Sequence, residues 1–136
     1  MKNLIVLFFI ASCLIAVTCS KEKKSEQFKL LTTPVWAADS LLANGVDASG
    51  PGAILEKFKG DAKFNEDGTG TFGNYTGDWR FNSEETEITI VTDSLPLPII
   101  CKIALLTVQD LKITTSVQNP VNLQELLDIR MTFKAK

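Results

Sequence analysis

From residue 62 onward apolar and polar side chains alternate one by one, and this period of two constrains the fold more than any other feature of the chain. Ala62 and Phe64 alternate with Lys63 and Asn65, Trp79 and Phe81 with Asp78 and Arg80, and Ile88 and Ile90 with Glu87 and Thr89. Further on, Leu111, Ile113, Thr115 and Val117 oppose Lys112, Thr114 and Ser116, and Ile129, Met131 and Phe133 oppose Arg130, Thr132 and Lys134. Successive side chains of a strand point to opposite faces, so each segment has one face to bury and one to wet. Turn residues punctuate the segments: Glu66-Asp67-Gly68-Thr69, where Asp-Gly is a strong hairpin signal, and Asn82-Ser83-Glu84-Glu85. The pattern predicts an all-β antiparallel meander of about eight strands closed into a barrel or a sandwich, and a last strand that ends almost at residue 136 suits the barrel. Its final strand is expected to pair with a first strand near residues 30–38.

Two regions leave this rhythm. Residues 44–52, from Asn44-Gly45 to Gly50-Pro51-Gly52, form a glycine-rich connection long enough to lie over a barrel mouth. Residues 119–127 offer Asn119 as a cap, Pro120 at a first helical position, and Leu123, Leu126 and Leu127 at helical spacing. They predict one or two turns of helix before the last strand.

The amino end is built differently. Met1-Lys2-Asn3 is a short basic start, and residues 4–17 are apolar except for Ser12. This is the layout of a secretory signal peptide, too short to span a bilayer, which takes about 20 residues. Leu14-Ile15-Ala16-Val17-Thr18-Cys19 then gives way abruptly to Ser20-Lys21-Glu22-Lys23-Lys24. The junction resembles the lipobox of bacterial lipoproteins, which implies cleavage after residue 18 and acylation of Cys19. The expected organisation is a signal peptide over 1–18, an acylated Cys19 with a flexible tether over 19–27, and a barrel domain over 28–136.

Composition narrows function. The 136 residues carry 14 Lys plus Arg against 16 Asp plus Glu, and none is histidine. A formal net charge of -2 leaves no basic footprint for nucleic acid. The missing imidazole removes the commonest general base and metal ligand, so no catalytic residue, metal or cofactor is expected. With Cys13 removed and Cys19 acylated, Cys101 is left alone, and no intramolecular disulfide is expected. Ile99, Cys101, Ile103 and Leu105 share one parity opposite Lys102, which places the thiol in the core as a small hydrophobe.

Motifs that suggest chemistry have simpler readings. Gly68-Thr69-Gly70-Thr71-Phe72-Gly73 has the glycines of a phosphate loop, but a strand follows it instead of a helix whose amino end could hold an anion. Glu84, Glu85 and Glu87 cluster in a polar turn, where solvated charge is the default. Asp39-Ser40-Leu41 and Asp93-Ser94-Leu95 are similar to a glycosylation tripeptide of exported Bacteroidetes proteins.

Leu31 and Trp36, Phe64-Asn65-Glu66-Asp67-Gly68-Thr69-Gly70, Gly77-Asp78-Trp79-Arg80-Phe81, Ile103-Ala104-Leu105-Leu106-Thr107 and Met131-Thr132-Phe133 together resemble the small lipocalin-like lipoproteins of Bacteroidetes envelopes. The resemblance implies a β-barrel held to the outer membrane by lipid on Cys19, and no enzyme. It also implies an apolar cavity, though no substrate. One reading is a ligand-binding barrel in which the inward faces of Trp36, Phe64, Phe72, Trp79, Ile90, Ile103, Leu111 and Met131 leave a pocket for a small lipophilic ligand. The alternative is that these side chains fill the barrel and the protein acts as an interaction module of the cell envelope.

Overall fold

In the computed structural model, which describes residues 23–136, the alternating segments become strands. The signal peptide and Cys19 expected above lie outside the described residues. The strands are β1 (Trp36–Ala43), β2 (Val46–Asp47), β3 (Asp61–Phe64), β4 (Thr69–Phe72), β5 (Tyr75–Phe81), β6 (Glu87–Thr92), β7 (Ile99–Leu106), β8 (Asp110–Gln118) and β9 (Leu126–Ala135). From β3 to β9 each pairs antiparallel with the next, and β1 pairs with both β3 and β9. Eight strands therefore close into the expected barrel, while the short β2 extends β1 as a hairpin.

Turn chemistry follows the sequence. At Gly68 φ is +87°, and the Asp67 carboxylate accepts from the Thr69 amide at 3.0 Å, closing the β3–β4 hairpin. Asn44 and Gly45 both have positive φ, 49° and 78°, as a two-residue hairpin turn requires. That turn uses the first two residues of the glycine-rich connection. The remainder carries Ala48, Leu55 and Phe58 into the core, Phe58 lying 4.8 Å from the Tyr75 ring, and so covers one end of the barrel.

The first strand begins later than residue 30. Residues 30–32 belong instead to a helix, α1 (Glu26–Thr32), whose Ser25 cap accepts from the Phe28 amide at 3.1 Å. Phe28, Leu31 and Thr32 stand at helical spacing and turn toward the barrel, and Pro34 prevents the helix from continuing. Ordered structure also starts before residue 28, because the Ser25 hydroxyl donates to the Glu85 carboxylate at 2.5 Å. The Lys63 ammonium donates to the carbonyls of Thr32, Thr33 and Pro34, meeting the exposed acceptors at the helix end. Thus α1 covers the barrel end opposite Ala48 and Phe58.

The helix expected over 119–127 is replaced by a turn and the start of β9. Asn119 and Asn122 side chains accept from the amides of Val121 and Gln124, at 2.9 and 3.3 Å, and the Asn119 amide donates to the Glu125 carbonyl at 2.9 Å. These local bonds satisfy the backbone without a helix. A helix there would also have no core to cover, since Leu123 and Leu126 are exposed.

Two bulges set which side chains face inward. In β1 the register slips between Ala38 and Ser40, so Trp36 and Leu41 are both buried although their numbers differ in parity. In β7 it slips between Ile103 and Leu105. Cys101 and Ile103 keep the inward parity, but Leu105 turns outward, contrary to the alternation, and Leu106 opposite Leu111 takes over the inner side. Close strand packing makes one further demand: a Cβ added at Gly77 would stand 1.9 Å from the Val91 carbonyl oxygen.

Candidate functional site

The barrel interior is where a lipophile would sit. Of the eight expected pocket residues, Trp36, Phe64, Phe72, Trp79, Ile90, Leu111 and Met131 are buried, and Ile103 is half-buried against them. The structure does bring them together, but against one another. Phe64 meets Phe72 at 5.3 Å and Trp79 at 5.6 Å, both edge-on, and Phe81 meets Trp79 at 5.3 Å. Both indoles have fixed partners, Trp36 donating to the Leu31 carbonyl at 3.0 Å and Trp79 to the Asn65 carbonyl at 2.9 Å. The void left between Phe58, Phe64, Ile90, Met131 and their neighbours is about 10 Å³. That is the space of one water, against roughly 300–1,000 Å³ for a small-molecule pocket.

Cys101 is fully buried in this core, and burial pushes its thiol from 9.0 up to about 12. It is therefore a packed hydrophobe at neutral pH, since a reactive cysteine needs thiolate character and access. The Glu85 carboxylate is held by Ser25, Ser40 lies within β1 opposite Thr132, and Ser94 is exposed after β6. Among the described residues no group of three or more acidic or cysteine side chains could hold a metal, and no helix is long and apolar enough to cross a membrane.

A sizeable opening lies in the barrel wall. Pairing between β7 and β8 ends at Lys102 opposite Thr114, although both strands continue. Beyond that point residues 99–101 pair with β6 alone and residues 115–118 with β9 alone. The Thr115 hydroxyl bridges the parting strands by donating to the Ile100 carbonyl at 2.7 Å. An open cleft of about 830 Å³ follows this seam and reaches the β1–β2 turn at Asn44 and Gly45.

One row of paired residues crosses the cleft: Glu87 on β6, Lys102 on β7, Thr114 on β8, Arg130 on β9 and Leu42 on β1. Two cations flank a hydroxyl, and neither forms a salt bridge among the described residues. Asp128, at the rim, accepts weakly from Ser116 at 3.4 Å. Sequence reasoning missed this site because alternation assigns these side chains to the wet face. The parting of two strands depends on register between segments and leaves no local signal.

No known protein family matches the chain, and a search of curated proteins finds no relative.

Proposed function

We propose that the protein is a lipoprotein of the cell envelope, held to the outer membrane through Cys19, whose barrel is a noncatalytic interaction module. The observation that carries the barrel's role is its filled interior. An apolar barrel with room for one water has no space for a lipophile unless its core opens, and packed cores resist such opening. Recognition then falls to the outer surface. The absence of histidine and the buried Cys101 thiol support a role in binding over one in catalysis. The anchoring reading rests on the lipobox-like junction before Cys19, and the likeness to lipocalin-like envelope lipoproteins agrees with it.

The two halves of the proposal are tested separately. Palmitate labelling in a bacterial host is expected to mark the chain and to vanish in Cys19→Ala; label that persists in the variant refutes acylation at that residue. A panel of fatty acids and other lipophiles is expected to leave Trp36 and Trp79 fluorescence unchanged. A saturable response at micromolar concentration, roughly 8 kcal/mol of binding free energy, would establish a ligand carrier instead.

A further inference from the structure

We propose that the seam between β7 and β8 is a binding site for an extended peptide segment of a partner protein, one that carries a single acidic side chain. This deepens the interaction-module reading and rests on it. Residues 115–118 of β8 form a ladder on the β9 side only, and residues 99–101 of β7 on the β6 side only, so among the described residues two strand edges without a ladder partner border one cleft, joined only where Thr115 donates to the Ile100 carbonyl. Unpaired edges are templates for an added strand, which gains main-chain hydrogen bonds whatever its sequence. Natural barrels close to remove such edges, and this one reopens them over a few residues.

Charge identifies the occupant further. Lys102 and Arg130 flank Thr114 within one row, without a carboxylate partner among the described residues, so an aspartate or glutamate placed over Thr114 would reach two cations and a hydroxyl. Glu87 stands beyond Lys102 in the row, and Asp128 lies along the cleft opposite Ser116, so both disfavour further acidic residues in the peptide. Ile100 and Leu42 offer apolar contact in the same cleft, and Leu97, Val121 and Leu123 are exposed on the loops at that end of the barrel.

The direction of the anchor agrees. Lys24 pairs with Glu66 and Ser25 with Glu85, so the chain enters at the α1 end. Residues 20–23 separate Cys19 from Lys24, a span of at most about 18 Å of extended chain. An anchor at Cys19 thus holds the α1 end against the membrane and turns the cleft outward.

The experiment pans random displayed peptides against the full chain in detergent micelles and titrates synthetic versions of those enriched. Enriched peptides are expected to alternate β-branched residues around one Asp or Glu. Their affinity should fall at least tenfold in the double variant Lys102→Glu, Arg130→Glu, and peptides with Lys in place of the acid should recover it. N-methylation of alternate peptide amides should abolish binding without any change to the protein. Absence of enrichment, or binding indifferent to charge reversal or to N-methylation, overturns the proposal. Self-association of the chain that the double variant abolishes also overturns it, because a second copy then fills the cleft. Failure of acylation at Cys19 would remove the outward orientation and leave peptide binding intact, while saturable lipophile binding would break the filled-barrel reading without touching the cleft.

Discussion

The α1 end and the β7–β8 seam are made from the same alternating strands, yet they solve opposite problems. At the α1 end Phe64 and Phe81 meet Trp79 edge to face, Phe28 packs on it tilted, and Leu31 and Trp36 are wholly buried. Polar groups there have partners: the Trp36 indole has the Leu31 carbonyl, and the carbonyls closing α1 have Lys63. At the seam two strands part, their ladder stops at Lys102 and Thr114, and among the described residues the charged side chains there stand without salt bridges. The comparison teaches that dense packing and open, charged surface occupy separate places in this barrel. The interior holds the fold, and the wall carries what the fold presents.

Substitutions can break that separation. The largest effect is expected for Trp36→Ala, which removes a wholly buried indole and its hydrogen bond and should cost about 4 kcal/mol in urea unfolding. A loss below about 1 kcal/mol would show that the interior is looser than described. Gly77→Ala should cost about 3 kcal/mol, because its Cβ meets the Val91 backbone oxygen, which cannot swing away as a side chain could. Cys101 gives an intermediate probe. The native protein should resist a polar thiol reagent that labels it quickly in denaturant, and fast native labelling would contradict its place in the core. Its pKa is raised on folding, so the neutral thiol is favoured in the native state. The corresponding stability is complete below about 9 and declines as pH rises from there through about 12. Unfolding measured across that window should therefore fall more steeply for the native sequence than for Cys101→Ala. The smallest effect belongs to the seam: Lys102→Ala and Arg130→Ala should each change stability by less than about 0.5 kcal/mol. A larger cost would mean that the cleft residues hold the barrel together and that the two regions are not separate.

Much of the fold was legible because it is local. Phe64-Asn65-Glu66-Asp67-Gly68-Thr69 states a hairpin in its own residues, and alternation through Ile113, Ile129, Met131 and Phe133 names inward positions that are in fact buried. What escaped is not local. Leu105 reads as inward by number and lies outward because β7 slips against β8, and a slip is a property of the pair. The loop over 119–125 has a helical leucine spacing, but the side chains of Asn119 and Asn122 take the amides a helix would need. The expected first strand near residues 30–38 holds over 36–38, where β1 pairs with β9, but residues 30–32 are helix, because Phe28, Leu31 and Thr32 share a helical face only once a barrel end exists to receive them. Of the expected pocket, membership was legible and emptiness was not, since the volume between side chains is settled by how eight strands close.

The β1 bulge at Asp39 has a consequence for how this chain can change length. Two residues there oppose one on β9, so removing one of them returns a regular strand and leaves Trp36 and Leu41 on the inner side. Removing Leu42 or Arg130, a single position away from any bulge, would send one flank of its strand inside out. Deletions and insertions in this barrel are therefore confined to the bulges and loops, and the Asp39 and Ala104 positions are the points within its long strands where the protein can lose a codon and keep every neighbour on its own face.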